Sequence, residues 1–226
     1  MLPLFDDQPT KRFPFVTILV ILANALVFVG WQLRIGIQQS VDIGGLIPVE
    51  FAHAPYTWSL MHMVSAMFMH AGWMHLVGNM WFLWIFGNNV EDSMGRPRFI
   101  VFYLLGGIAA TALQLAIDPG STVPNIGASG AIAGVLGGYI LLFPRARVIT
   151  LILIVFFFTF VELPAMVLLG FWFLQQALFG YFDLMGSSGE GGVAYFAHIG
   201  GFAFGLAAIR LFADERKTRA QVAAGS

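Results

Sequence analysis

The stretch "PGSTVPNIGASGAIAGVLGGYILLFP" at residues 119–144 contains no charged side chain. It is longer than the roughly 20 apolar residues that a helix needs to cross a bilayer. Glycine recurs along it, and small residues let two helix backbones approach each other closely in a membrane. The stretch therefore predicts a membrane-spanning helix that packs tightly against a neighbour, with Ser129 near its N-terminal end.

The rest of the chain is equally apolar. Its 226 residues are 58% hydrophobic and 10% charged, whereas soluble domains carry about 25% charged residues. Further runs without Asp, Glu, Lys or Arg occupy residues 13–33, 99–117, 163–182 and 191–209. We therefore predict an all-α, polytopic membrane protein built as a bundle of six transmembrane helices. The predicted spans lie at about residues 14–32, 73–90, 98–117, 127–143, 163–181 and 193–212.

The distribution of basic residues favours six spans over seven. With the N-terminus in the cytoplasm, six spans leave every Lys and Arg except Arg34 on the inner side. A seventh span would place the basic tail outside, against the positive-inside tendency. The predicted organisation is a cytoplasmic N-terminal segment at 1–12, a membrane domain at 13–212 and a cytoplasmic basic tail at 213–226.

The sequence allows two interpretations of the conformation of one segment. Residues 148–160 are apolar and rich in β-branched and aromatic types, but they are too short for a typical crossing. They either form a strand or dip into the membrane.

Composition and motifs exclude several classes of protein. The net charge of −1 argues against nucleic-acid binding, and the lack of cysteine excludes disulfides, thiol nucleophiles and thiolate metal sites. The sequence contains neither an HExxH motif nor a pair of mid-span aspartates, so it does not support metal-dependent or aspartyl proteolysis. We expect no metal and no cofactor. The N-terminus also lacks the features of a signal peptide.

Polar residues occur in three of the predicted spans at one depth. His75 and Asn79 share a face of the second span because they are four residues apart. Ser129 begins the fourth span, and His198 lies early in the sixth. These spans run in the same direction, so the four side chains lie within about 10 Å of the outer surface. A hydroxyl, an imidazole and polar donors at one depth are the components of acyl transfer. No third carboxylate accompanies them, which predicts a Ser–His dyad.

Glycines provide the close helix contact that such a dyad needs. Gly127 and Gly130 flank Ser129 at a helix N-terminus, where the helix dipole favours developing negative charge. Gly201 and Gly205 form a GxxxG pair in the sixth span. A serine hydroxyl must come within about 3 Å of its imidazole base. Helix packing alone would also account for these glycines.

Other polar residues have simpler interpretations. His75 and Asn79 could serve only as interhelical hydrogen-bonding groups. His70 precedes the second span and is expected to hold the preceding loop. Glu91 and Asp92, at the inner end of that span, are expected to tie loops to Arg96 or Arg98.

Three motifs together resemble those of the prokaryotic rhomboid intramembrane serine proteases. They are "HAGWMHLVGN" at 70–79, "GASG" at 127–130 and "AHIGGFAFG" at 197–205. They occur in the family's order on a chain with six predicted spans, and the resemblance covers nearly the whole length.

The resemblance implies a function and a role for each motif residue. Ser129 would be the nucleophile and His198 the general base. His75, Asn79 and the backbone N–H of Ser129, within the motif that begins at Gly127, would line the oxyanion hole. His70, Gly130, Gly201 and Gly205 would be structural members of the motifs.

The resemblance also implies partners and a location. The substrates would be membrane proteins cut near the outer end of a transmembrane helix, in the lipid bilayer of a prokaryotic cell, with both protein termini in the cytoplasm. The fifth span and the Gly- and Ser-rich loop at 185–193 would be the gate and cap.

Two positions depart from the family pattern. Ser59 rather than Arg follows Trp58 in the first loop. Ala133 stands where some members have a Tyr that stacks on the catalytic His, so the packing of His198 is left open. Two alternatives are an inactive rhomboid-like protein that binds membrane clients, and a small transporter or channel. The first would be expected to lack Ser129 or His198, and the second to carry polar groups near mid-bilayer.

Overall fold

The computed structural model describes residues 1–51, 56–154, 157–185 and 193–224. The predicted cap loop at 185–193 lies almost entirely outside the described residues. The α-helices in chain order are α1 (Phe15–Val27), α2 (Leu33–Ile35), α3 (Ile37–Gly44), α4 (Pro48–Phe51), α5 (Tyr56–Ser65), α6 (Trp73–Met94), α7 (Arg96–Ile117), α8 (Ser129–Leu142), α9 (Ala165–Leu184), α10 (Tyr195–Phe212) and α11 (Glu215–Ala224). A π-helical segment, Phe28–Gln32, joins α1 to α2, and a 3-10 turn, Ala66–Phe68, follows α5.

The prediction of a helical membrane protein is confirmed. Each predicted span coincides with a helix, the first being the continuous run Phe15–Ile35. Among the described residues, that run and α7, α9 and α10 are long and apolar enough to cross a membrane. Helix α8 is apolar but shorter. The count of six spans stays a prediction.

A small antiparallel sheet accompanies the helices. It consists of β1 (Leu2–Asp6), β2 (Arg147–Ile154) and β3 (Phe157–Pro164), in the order β1-β2-β3. Leu2 pairs with Leu151, and Arg147 pairs with Pro164. The described part of segment 148–160, whose sequence left two readings open, therefore forms strands. Its β-branched and aromatic side chains suit a pleated surface.

Helix α8 lies at the centre of the bundle and is buried along nearly its whole length. Its glycines face those of α10, so the two backbones are in contact. A methyl group at Gly201 would overlap the carbonyl oxygen of Gly130, and one at Gly205 would overlap that of Gly134. The absence of side chains at this crossing is what permits the approach.

The end of α6 farthest from His75 binds both the segment around the start of α1 and helix α11. The carboxylate of Glu91 accepts hydrogen bonds from the backbone N–H groups of Val16 (3.0 Å) and Thr17 (2.8 Å). It thereby satisfies two N–H groups in the first turn of α1. Asp92 accepts hydrogen bonds from the backbone of Lys11 (2.7 Å) and from Gln221 of α11 (3.1 Å).

The expected pairing of these two acids with Arg96 or Arg98 was wrong. No ion pair joins them among the described residues. The N–H groups at the start of α1 are buried and have no partner within the helix, so hydrogen bonds from them stabilise a buried carboxylate strongly. An ion pair with an exposed guanidinium would stabilise it less.

Asp6 ties the N-terminal strand to the bundle. Its carboxylate accepts hydrogen bonds from the hydroxyl of Tyr139 and from the side-chain amide of Asn89 (2.7 Å). Burial, opposed in part by these hydrogen bonds, raises the pKa of Asp6 from its ordinary 3.8 to about 6. The folded protein therefore binds a proton at Asp6 more readily than the unfolded chain does.

We expect Asp6 to make stability depend on pH. Because its pKa is higher in the folded state, its contribution to the free energy of unfolding falls as pH rises from about 4 to above 6. The thermal unfolding midpoint of the wild type, relative to that of Asp6→Asn, should decrease over this window. A constant difference between the two proteins across the window would contradict this expectation.

We expect Gly201→Ala to lower stability because the new methyl group overlaps the backbone of α8. Overpacking of this kind costs about 1–3 kcal/mol, so the thermal unfolding midpoint in detergent should fall by several degrees. Gly170→Ala is the matched control, since Gly170 also lies inside a helix but has nothing near its missing Cβ. Equal midpoints for the two variants would show that the crossing tolerates a methyl group.

Candidate active site

The structure brings Ser129 and His198 into direct contact. Ser129 is the first residue of α8, and His198 lies in the first turn of α10. The distance between Ser129 Oγ and His198 Nε2 is 2.8 Å, within the range for a hydrogen bond. The glycine-lined crossing of α8 and α10 therefore places a hydroxyl beside a ring nitrogen that can accept its proton.

A cavity of about 730 Å³ opens over this pair. His75, Asn79, Ser129 and His198 line it together with apolar side chains, among them Trp172. The four polar residues that the sequence placed at one depth thus meet in a single cavity. The cavity lies at the N-terminal ends of α6, α8 and α10, and Glu91 and Asp92 lie at the opposite end of α6.

Gly127 brings the backbone before Ser129 close to the other polar residues. Its φ of +111° lies in the region that favours glycine. A methyl group there would lie 2.6 Å from Nε2 of His75 and 3.5 Å from Nδ2 of Asn79. Only a glycine allows both side chains to approach the N-terminus of α8 this closely.

Both of these side chains present donors to that region. Nδ1 of His75 accepts a hydrogen bond from the backbone of Ala71 (3.3 Å), so a neutral His75 carries its proton on Nε2, the atom beside Gly127. The buried Nδ2 of Asn79 has no hydrogen-bond partner among the described residues. An unsatisfied buried donor costs free energy, and a developing oxyanion would satisfy it.

His70 lies behind His75 and outside the cavity. Its backbone N–H donates to Gln32 (2.9 Å), and its carbonyl accepts from the same side chain (3.2 Å). Its buried ring meets the ring of His75 edge to face, with centroids 5.1 Å apart. Burial, and secondarily the proximity of His75, lowers the pKa of His70 to about 4. The neutral ring thus packs against His75, while the backbone of His70 joins the loop before α6 to Gln32 at the end of the first span.

Two residues of α9 that the sequence analysis did not single out contact His198. Gln176 Oε1 lies 2.8 Å from His198 Nδ1. The ring of Trp172 lies against the imidazole, with centroids 5.8 Å apart. Trp172 therefore packs on His198 where the small side chain of Ala133 cannot. The sequence feature that could have drawn attention to Gln176 is the pair of amides, Gln175 and Gln176, in an otherwise apolar span.

This arrangement can carry out acyl transfer. It combines a hydroxyl, a base in contact with it and several hydrogen-bond donors around the point where an oxyanion would form. The free N–H groups at the start of α8 add to the favourable potential for negative charge. No cluster of three or more potential metal-ligating side chains occurs in the part of the chain that the structure describes.

Comparison with known proteins identifies the family. A family model described as the Rhomboid domain matches residues 57–215, more than half of the chain. The chain belongs to the rhomboid family.

Three relatives illustrate the extent of the similarity. The mitochondrial presenilin-associated rhomboid-like protein of Mus musculus is 32% identical over 143 residues, 62% of this chain and 36% of the relative. Rhomboid protein 1, mitochondrial, of Saccharomyces cerevisiae is 33% identical over 98 residues, 42% of this chain and 28% of the relative. Rhomboid-like protein 11, chloroplastic, of Arabidopsis thaliana is 41% identical over 71 residues, 31% of this chain and 25% of the relative.

The chain spans about a third of the length of the presenilin-associated rhomboid-like proteins it matches. The three relatives described above are named as mitochondrial or chloroplast proteins. They support an integral membrane protein, and they give no support to the predicted location in a prokaryotic membrane.

We expect Asn79→Ala to lower the reactivity of Ser129 without lowering the stability of the protein. Because Nδ2 of Asn79 has no partner among the described residues, its removal should leave the thermal unfolding midpoint unchanged or slightly higher. The rate at which a fluorophosphonate phosphonylates Ser129 should fall about 100-fold, as for loss of one oxyanion donor.

Asn89→Ala is the matched control on the same helix. Its amide donates to Asp6, so this variant should lower the unfolding midpoint and leave the phosphonylation rate unchanged. A loss of stability in Asn79→Ala with normal phosphonylation would contradict the assignment of Asn79 as an oxyanion donor.

Proposed function

We propose that this protein is an intramembrane serine endopeptidase that cleaves transmembrane segments of membrane proteins near the outer face. The observation that carries the proposal is the 2.8 Å contact between Ser129 Oγ and His198 Nε2 inside a cavity that also presents donors. Membership of the rhomboid family supports the same activity.

The first half of the proposed reaction forms an acyl-enzyme. His198 Nε2 takes the proton of Ser129 as Oγ attacks the carbonyl carbon of the scissile peptide. The carbonyl oxygen becomes an oxyanion that accepts hydrogen bonds from His75, Asn79 and the backbone N–H of Ser129. The imidazolium of His198 then gives its proton to the leaving amine. The C–N bond breaks, and an ester on Ser129 remains.

The second half hydrolyses that ester. A water molecule from the cavity gives a proton to His198 Nε2 and attacks the ester carbonyl, again through an oxyanion held by the same donors. The proton returns to Ser129 Oγ as the C–O bond breaks, which releases a carboxylic acid. Both halves use one base and one set of donors.

The proposed substrates follow from the surroundings of the cavity. Apart from its polar cluster the cavity is lined by apolar side chains, and it lies between helices of a membrane protein. An apolar peptide segment therefore fits it better than a polar one. We propose transmembrane helices in the lipid bilayer as the substrate class, with the scissile bond at the end of the helix nearest the cavity.

The proposed orientation rests on charge. Six spans with both termini in the cytoplasm leave nearly all Lys and Arg residues on the inner side. The cavity, at the other end of the bundle, then opens to the outside and admits water.

We expect the purified protein to cleave a model single-span substrate in detergent or liposomes. Ser129→Ala and His198→Ala should each lower kcat/KM by at least about 1000-fold, since a nucleophile and its base act as a unit. Ser121→Ala is a matched control, because Ser121 is a loop serine outside the cavity lining. Equal cleavage by all four proteins would assign the activity to a contaminant. Binding of clients without cleavage or phosphonylation at Ser129 would favour the inactive rhomboid-like alternative.

A further inference from the structure

The imidazole of His198 makes polar contacts through both ring nitrogens. Nε2 faces Ser129, and Nδ1 lies 2.8 Å from Oε1 of Gln176. Gln176 is buried in the interior-facing side of α9. Its amide thus occupies the position on the imidazole opposite the nucleophile.

Only one arrangement of protons on the ring suits the proposed reaction. For Nε2 to accept the proton of Ser129, the proton of the neutral imidazole must reside on Nδ1. A proton on Nδ1 in a mostly apolar surrounding needs an acceptor, and Oε1 of Gln176 is at hydrogen-bonding distance. In the other tautomer Nε2 would donate to Ser129, and the serine could not be activated.

Helix α9 also fixes the plane of the ring. Trp172 lies one turn before Gln176, and its indole packs on the imidazole. Side chains four residues apart on one face of a helix can contact the same group. A single helix thus sets both the tilt and the tautomer of His198.

We propose that Gln176 is a positioning residue that holds His198 in the tautomer and orientation needed to activate Ser129. This inference rests on the proposed function. It replaces the two-residue dyad with a chain of three residues from three helices, Ser129, His198 and Gln176, and its third member is neutral.

A neutral third member has a consequence for the pH dependence of the reaction. A carboxylate at this position would stabilise the imidazolium, whereas an amide accepts the same hydrogen bond without adding a negative charge. His75 of α6 is the other titratable side chain among the described residues that line the cavity. No carboxylate from α6, α8 or α9 lines it. Replacing the amide by a carboxylate should therefore change the pH profile directly.

The test compares Gln176→Leu, Gln176→Glu and Gln175→Leu in the substrate-cleavage assay. Gln176→Leu removes the acceptor at similar volume, so kcat should fall about 10- to 100-fold with KM unchanged. Gln176→Glu keeps an acceptor, so it should recover most of this loss at high pH. The acid limb of its pH–rate profile should move to higher pH by about one unit, because the imidazolium persists longer. Gln175→Leu, the neighbouring amide, should behave as the wild type in kcat, KM and pH profile.

The outcomes separate this inference from the proposed function. If the wild type cleaves and Ser129→Ala does not, but both Gln176 variants keep the wild-type kcat and pH profile, the positioning role is wrong and the peptidase assignment stands. If Gln176→Leu and Gln176→Glu lose activity alike, with the same fall in unfolding midpoint, Gln176 is structural and the inference is overturned. If the wild type cleaves nothing and Ser129 resists fluorophosphonate, both proposals fail together.

Discussion

The close approach of the α8 and α10 backbones is the constraint on which the geometry of Ser129 and His198 depends. Gly130 and Gly134 on one helix face Gly201 and Gly205 on the other, and a methyl group at either α10 position would overlap a carbonyl oxygen of α8. Dispersion contacts along such a crossing are strong because the helices meet backbone to backbone. The crossing begins within two turns of the start of both helices, at Gly130 and Gly201, so their first side chains converge. A spacing wider by one methyl group would separate the hydroxyl from the imidazole.

In the proposed reaction, the polar groups around this crossing stabilise a charge that is absent from the resting protein. Nδ2 of Asn79 is buried without a partner among the described residues, and Nε2 of His75 faces the backbone at Gly127. Holding an unpartnered donor costs stability in the resting state, and under the proposed mechanism it would lower the energy of an oxyanion when one forms. The fold gains stability elsewhere, for example through Glu91, which accepts hydrogen bonds from two N–H groups in the first turn of α1.

The sequence predicted the helices from local composition, and it predicted the four cavity residues from the common direction of the second, fourth and sixth spans. Charge-free length marks a membrane helix, and His75 and Asn79 share a face by helical geometry alone. The three-stranded sheet was not predictable in full, since β2 pairs with residues 2–6, more than a hundred positions away. Gln176 was missed for a related reason. Helix α9 is apolar around most of its circumference, so its sequence does not determine which face turns towards His198. The predicted pairing of Glu91 with an arginine was wrong because the N–H groups of α1 that donate to Glu91 become its neighbours only in the folded bundle.

We propose that Ser129 and His198 react as a pair beneath donors from His75 and Asn79. A structure of the protein after treatment with a fluorophosphonate tests it most directly. We expect phosphorus bonded to Ser129 Oγ, with the phosphoryl oxygen within about 3 Å of Nε2 of His75 and Nδ2 of Asn79. An adduct on a different residue, or a phosphoryl oxygen that points away from both donors, would contradict it.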